Sequence, residues 1–323
     1  MVEHRFSFAN AMLHFAQARG PGGFIWKYAL AYLLAVLLMG GLAYVLFQPL
    51  IGLFTNVLLQ VAQEAMSGDD IEVVMTREIS GMAGRIVFSY IGLLLLTALV
   101  WSMFEAAIQR RYVREEGFSI GIGADEFRLL LVAFMWLLFN IVGYLASAII
   151  AAILGAVIMG LGGGENFALG FSFPIVFLLA AFGWLYCTVR LAPAAGLTIR
   201  DSRLQFLNAW GASRGRFLPL FFAYVFLGII FWIIFTVLYS GGAAATFSIF
   251  MANFGSIEQI EANPAELIFF VLQGRFIASL VGIYAVLLTI NGLLAYVWAG
   301  PASLAAKTDP RGGGIAQAPD VFA

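Results

Sequence analysis

Six long apolar runs divide the chain, at about 24–47, 86–108, 129–161, 171–192, 218–239 and 276–299, and polar and charged residues gather between them. Each run reaches the roughly 20 residues that a helix needs to cross hydrocarbon. In lipid a lone segment can satisfy its backbone only by forming a helix. The pattern therefore predicts an all-α polytopic membrane protein, a single domain of six transmembrane helices with amphipathic surface helices on both faces.

Helical spacing also marks the connecting segments. Over 6–19, Phe8, Met12, Phe15 and Ala16 share one face, which predicts a short helix lying on the membrane surface. Pro49 is expected to break the first span, and Leu50, Leu53, Phe54, Val57 and Val61 then predict a separate interfacial helix. An acidic stretch follows through Asp69 and Asp70. Gly162–Gly164, Pro193 and Gly241–Gly242 are expected to end the third, fourth and fifth spans. Asn263-Pro264-Ala265-Glu266 reads as a helix start ahead of span six, and the tail after Pro301 reads as loose.

Composition excludes the soluble alternative. The chain is 62% hydrophobic and 11% charged, with 31 phenylalanines and a mean hydropathy of +0.96, whereas soluble domains carry about 25% charged residues. The net charge of −1 comes without a basic patch away from the span ends, so nucleic acid is not an expected partner. The single Cys187 permits no intrachain disulfide. The run beginning at Phe24 lacks a small-residue cleavage site and reads as a retained span.

Charge then sets an orientation. Between Trp184 and Phe217 lie Arg190, Arg200, Arg203, Arg214 and Arg216 against one acid, Asp201. If the N-terminus, the 110–128 loop, this stretch and the tail share a side, that side holds all of the 17 Lys and Arg residues except Arg77, Arg85 and Arg275. The positive-inside rule places that side, with both termini, in the cytoplasm. The stretch itself predicts a lipid-surface elbow: Leu204, Leu207 and Trp210 toward the bilayer, with Arg200, Arg203 and Arg214 toward anionic headgroups. Thr198 or Asp201 is expected to cap a helix there, and Gly211 and Gly215 to release the chain into span five.

An internal repeat is suggested by Trp101-SMFEAAIQRR, Trp184-LYCTVRLAPAAGL and Trp298-AGPASLAAK at the ends of the even spans. NAMLHFAQARG from Asn10 and NAWGASRG from Asn208 echo each other ahead of spans one and five. Three units follow, 5–112, 114–199 and 200–307, each a surface element and a helical hairpin. Recurrent interfacial tryptophans in any membrane protein would give the same impression.

Candidate sites are few. Gly143, Ser147, Ala151 and Gly155 form a small-residue row in span three, the pattern of a helix-packing seam. Glu105 and Arg190 are a candidate ion pair near the ends of spans two and four, against the plainer reading that each snorkels to water or headgroups. Asn140, Asn291, Thr188 and Thr289 are candidate intramembrane polar contacts. No catalytic, cofactor-binding or metal residues are expected. Both histidines, His4 and His14, lie ahead of the first span, and no Walker motif, dinucleotide fingerprint, G-x-S-x-G elbow or catalytic histidine within a span is expected.

Arg190-LAPAA, Asn208-Ala209-Trp210 and Ser213-Arg214-Gly215 together resemble uncharacterised six-span bacterial proteins related to the membrane domain of glycerophosphodiester phosphodiesterases. The resemblance covers about 30 residues and the span plan; it implies a bacterial inner (cytoplasmic) membrane protein and does not bring the phosphodiesterase activity with it. Two functions are expected. One is a non-enzymatic scaffold or accessory subunit, whose partners are the lipid bilayer, its anionic headgroups and other membrane proteins. The other is a transporter or channel for a small or lipid-like solute, lined by the asparagines and threonines.

Overall fold

The computed structural model describes residues 6–64, 71–161, 165–254, 270 and 274–310. In chain order the helices are α1 (Phe8–Gln17), α2 (Phe24–Glu64), α3 (Ile71–Val113), α4 (Ala124–Gly160), α5 (Glu165–Leu191), α6 (Ala194–Asp201), α7 (Ala209–Ala212), α8 (Phe217–Phe254) and α9 (Gly274–Lys307). No strand occurs among the described residues. Among the described residues six helices are long and apolar enough to cross a membrane, in α2, α3, α4, α5, α8 and α9, so the chain is an all-α multi-pass membrane protein. Their sides are bare of protein: Phe88, Leu38 and Trp232 are 81%, 74% and 69% exposed, a surface that water would penalise and lipid would not.

Three expected breaks are overridden. α2 passes through Pro49, α8 through Gly241 and Gly242, and α9 through Pro301. Proline removes one intrahelical donor, a cost of about 3 kcal/mol in water that membrane helices tolerate by local adjustment. The Pro301 turn is also held by burial, since Ala302, Leu304, Ala305 and Ala306 are all at most 5% exposed. At Gly242 the missing side chain is used for close approach: a Cβ there would meet Leu287 Cδ1 at 3.0 Å. Pro193 does end α5, and α6 restarts directly after it. The acidic turn at Asp69-Asp70, the Gly162–Gly164 turn, the Asn263–Glu266 helix start and the tail beyond 310 lie outside the described residues.

The chain forms two compact units. Unit 1 comprises Met1–Gly22, Trp101–Gly228 and Tyr296–Ala323; unit 2 comprises Gly23–Val100 and Ile229–Ala295. In unit 2, Tyr28 is 1% exposed and its hydroxyl donates to the Gly292 carbonyl at 3.1 Å, while Tyr32 lies against the bare face of Gly292. In the core of unit 1, Leu129 and Val132 of α4 meet Leu191, Leu197, Ile199 and Phe206.

α1 is more than a surface float. Ser7 accepts the Asn10 backbone N–H at 3.2 Å as its N-cap. Ala11 and His14 are buried, with Ala11 packed on Ala223 and Leu304 and His14 stacked 5.1 Å from Tyr112. Tyr112 donates to the Tyr296 carbonyl at 2.7 Å, which ties α3 to α9. The Phe8, Met12, Phe15, Ala16 face expected to meet lipid is only partly covered.

Gly196 and Gly143 separate tight packing from open packing. A Cβ on Gly196 would sit 2.8 Å from Ala306 Cβ and 3.1 Å from Gln109 Oε1, whereas one on Gly143 meets nothing within 4 Å. Gly196→Ala is expected to destabilise by about 1–3 kcal/mol through overpacking. Gly143→Ala should be neutral or stabilising by up to about 1 kcal/mol, because alanine is the better helix former. Thermal unfolding midpoints of the purified variants check the pair, and equal midpoints would show that α6 is not wedged between α3 and α9.

Candidate functional site

The polar chemistry of unit 1 gathers where its helices end. The last turn of α3 carries Arg110 and Arg111, and the first turn of α4 carries Asp125 and Glu126. Each sign sits at the helix end whose dipole favours it. Arg110 Nη1 donates to Glu126 Oε1 at 2.7 Å, with the residues 8% and 3% exposed, and Nη2 donates to the Ser119 carbonyl at 3.0 Å. Asp125 accepts from Arg114 at 2.7 Å and from Arg128 at 2.8 Å.

The other arginines mostly cap carbonyls. A helix leaves its last four C=O groups without intrahelical donors, and the planar five-donor guanidinium suits several acceptors at once. Arg216 donates to the Ala305 carbonyl (3.0 Å), the Thr308 carbonyl (2.7 Å) and the Thr308 hydroxyl (2.9 Å) at the end of α9. Arg200, paired with Asp201 at 2.7 Å, donates to the carbonyls of Ala306 and Asp309. Arg114 reaches the Ile199 carbonyl at the end of α6 and the Ser202 hydroxyl. Arg111 donates to the carbonyls of Pro21 (3.1 Å) and Ala18 (3.5 Å). Gly20, at φ +124°, makes room for it, since a Cβ there would collide with the Arg111 guanidinium and the Glu115 carbonyl.

The 184–217 elbow is ordered by a short polar chain. Ser202 takes the left-handed conformation (φ 52°) after α6, and Thr198 Oγ1 accepts the Gln205 N–H at 3.2 Å. Gln205 donates to Asp201 at 3.0 Å and accepts from Asn208, the residue ahead of α7. Thr198 and Asp201 thus close the turn after α6 instead of capping a helix start. Gly215, at φ +75°, turns the chain into α8.

Arg190 and Glu105 are not joined. The Arg190 guanidinium carbon lies 5.3–5.7 Å from the ring centres of Tyr186, Trp210 and Phe217, and its Nε and Nη2 donate to the Tyr186 hydroxyl. Three aromatic faces supply the counter-charge expected from Glu105. Glu105 instead accepts from Gln109 at 2.7 Å, and Gln109 accepts from Ser303 at 2.8 Å, linking α3 to α9.

Of the intramembrane polar candidates, Asn140 alone bridges helices: Trp184 Nε1 donates to its Oδ1 at 2.9 Å, while its own amide donates to the Trp136 carbonyl. Thr289 donates to Ala285 within its own helix. Thr188 and Asn291 make no hydrogen bond among the described residues. The small-residue seam does face α5, yet it does not close. Gly143, Ser147 and Ala151 line a groove of about 650 Å³ whose far wall includes Ala180, Ala181 and Gly183. Small residues on both walls leave a space that neither helix fills. Gly155 is not part of that lining.

Of the elbow arginines, Arg200 is withdrawn into the α9 cap. Arg203 and Arg214 are exposed, with no ion pair or hydrogen bond among the described residues. Leu207, Leu204 and Trp210 are 72%, 43% and 40% exposed, as the amphipathic pattern requires. The pentad Gly211-Ala212-Ser213-Arg214-Gly215 does carry the letters G-x-S-x-G, contrary to the expectation that the motif is absent. Its setting is not a nucleophile elbow, for Ser213 lies between helices, is 0% exposed and donates to the Arg190 carbonyl at 2.9 Å. Among the described residues no group of His, Cys, Asp and Glu could hold a metal ion.

Sequence reasoning also missed Asp125, Glu126, Gln109 and Ser303. Asp-Glu in a first helical turn, just after a helix ending in arginines, was the available signal for the first two. No family model, curated protein or solved structure matches the chain.

Removing one partner of the buried Arg110–Glu126 pair should cost about 3–5 kcal/mol, because the other charge stays desolvated. Arg110→Met and Glu126→Leu are each expected to lower the thermal midpoint sharply, and the double variant to recover much of the loss. Additive losses would mean that the pair is not coupled.

A second prediction concerns Lys307, whose Nζ lies 2.6 Å from Glu115 Oε1. That hydrogen bond, with the Lys307 charge and more distant ones, holds the Glu115 carboxyl below its ordinary value of 4.5. A carboxyl depressed in the fold stabilises above its unfolded value and loses that contribution as pH falls through the folded one. Both side chains are about a third exposed or more, so the pair is worth at most about 1 kcal/mol. Lys307→Met should lower the midpoint slightly at neutral pH, with the gap closing as pH falls below 4.5. A gap that widens in acid would reverse the assignment.

Proposed function

We propose that this chain is a non-enzymatic scaffold or accessory subunit of the bacterial inner membrane, with both termini cytoplasmic. It acts through helix packing with other membrane proteins and through surface helices that contact lipid. The chain's apolar, multi-pass build supports a membrane-resident role, and the resemblance of residues 190–215 to six-span bacterial proteins supports the compartment. The clustering of α1, the 110–128 loop, the elbow and the end of α9 in one unit accords with a single cytoplasmic side.

The observation that carries the reading is the open groove between α4 and α5. Small residues in register promote helix association in lipid by permitting close approach, and here Gly143, Ser147 and Ala151 line a space that α5 does not fill. Meanwhile the charged side chains of unit 1 are largely consumed in caps and ion pairs. The transporter alternative asks for a polar lining, whereas Asn140 and Thr289 spend their hydrogen bonds on helix contacts.

The test is purification of the full-length chain from native membranes in mild detergent, beside a Gly143→Leu/Ala151→Leu variant that fills the groove. The expected outcome is a stoichiometric membrane partner that accompanies the native chain and is lost from the variant at an unchanged thermal midpoint. A lone chain, or a partner retained by the filled variant, would sink the reading.

A further inference from the structure

We infer that the elbow between α6 and α8 is a binding site for the headgroup of an anionic phospholipid, held between Arg203 and Arg214. This rests on the reading that the elbow faces the cytoplasmic leaflet, and it narrows a general attraction to headgroups down to two side chains.

The argument begins with how the elbow's five arginines are used. Arg190 is enclosed by three rings, and Arg200 and Arg216 cap α9. Arg203 and Arg214 project from the same short segment with no ion pair or hydrogen bond among the described residues. Two concavities lie beside them. One, of about 420 Å³, includes Arg203, Asn208 and Trp210 in its lining; the other, of about 240 Å³, includes Arg214 and Arg216. They share Gly211 and Asp309, so they adjoin.

The charge there is positive. Arg200, Arg203, Arg214 and Arg216 face Asp201, already paired with Arg200, and Asp309, which is 6% exposed. A phosphodiester between Arg203 and Arg214 would receive charge-assisted hydrogen bonds of the kind guanidinium forms best.

The apolar neighbours decide between a lipid and a soluble anion. Leu204 and Leu207 stand exposed beside the arginines, within a segment bracketed by the membrane-crossing helices α5 and α8. A free phosphate has no use for them, while a phospholipid presents acyl chain next to its phosphate. Trp210 is the interfacial anchor, its ring fixed by Arg190 at 5.3 Å and by the edge of Tyr186 at 5.6 Å.

The experiment reconstitutes the full-length chain in phosphatidylcholine nanodiscs with a minor fraction of phosphatidylglycerol, and counts retained phosphatidylglycerol by native mass spectrometry. Arg203→Gln/Arg214→Gln is compared with Arg19→Gln/Arg128→Gln, which removes equal charge elsewhere in unit 1. Each headgroup contact is worth about fivefold, so the elbow variant should bind about 25-fold more weakly, with little change in the control. Each single variant should lose about fivefold, which keeps the test open if the double variant misfolds. Equal losses in both double variants would reduce the effect to diffuse charge, and no loss in either would remove the site. Displacement of the lipid by inorganic phosphate would make it a free-anion site. Each of these results overturns the proposal. Retention in nanodiscs does not depend on topology, so labelling of Arg203→Cys from outside the cell, in a Cys187→Ala background, would sink the cytoplasmic assignment alone.

Discussion

A helix that ends among other helices leaves carbonyl groups that neither water nor its own backbone can serve. Unit 1 meets that constraint with arginine. The carbonyls of Ala305, Ala306 and Thr308 at the end of α9, of Ile199 at the end of α6, and of Ala18 and Pro21 after α1 all receive guanidinium donors. Each arginine comes from a different helix or loop than the carbonyl it caps. The caps are therefore tertiary bonds, and they join segments up to 109 residues apart in sequence, as between Arg200 and Asp309. Lysine would serve poorly here, because a point-like ammonium cannot address two or three acceptors in one plane.

The same device explains how unit 1 holds so many charged groups in its interior. A guanidinium that donates to carbonyls keeps its charge, and that charge is balanced by the local acids: Asp125 and Glu126 for α3, Asp201 for α6, Glu115 for Lys307. At Arg190 the aromatic rings of Tyr186, Trp210 and Phe217 take the place of an acid. The cation–π arrangement also fixes Trp210 at the edge of the elbow, so one residue's charge is satisfied and another's orientation is set by a single contact.

The six spans were legible because lipid imposes a simple rule on length and hydropathy, and the helices fall where the apolar runs lie. The breaks at Pro49, Gly241–Gly242 and Pro301 misled, since local propensity is a small term beside the backbone satisfaction and burial that carry those helices onward. Glu105 and Arg190 were read as partners because a sequence shows charges but not the rings around one of them. The seam of Gly143, Ser147 and Ala151 was recognisable as a face, but the helix it meets, α5, was not. That the two faces fail to interlock follows from Ala180, Ala181 and Gly183 opposite, a second small row that only the pairing reveals as a void.

The basic stretch from Trp184 to Phe217 shows what counting charges can and cannot resolve. Topology responds to the sum of positive charge near a span, so five arginines argue for a side regardless of their neighbours. Affinity for a headgroup responds only to guanidinium groups that remain available after folding. Three of the five are engaged by carbonyls, an aspartate or aromatic rings, and the two left over, Arg203 and Arg214, flank exposed leucines and a fixed tryptophan. The electrostatic signal that orients the chain and the chemical surface it offers to the membrane are thus carried by different subsets of the same residues.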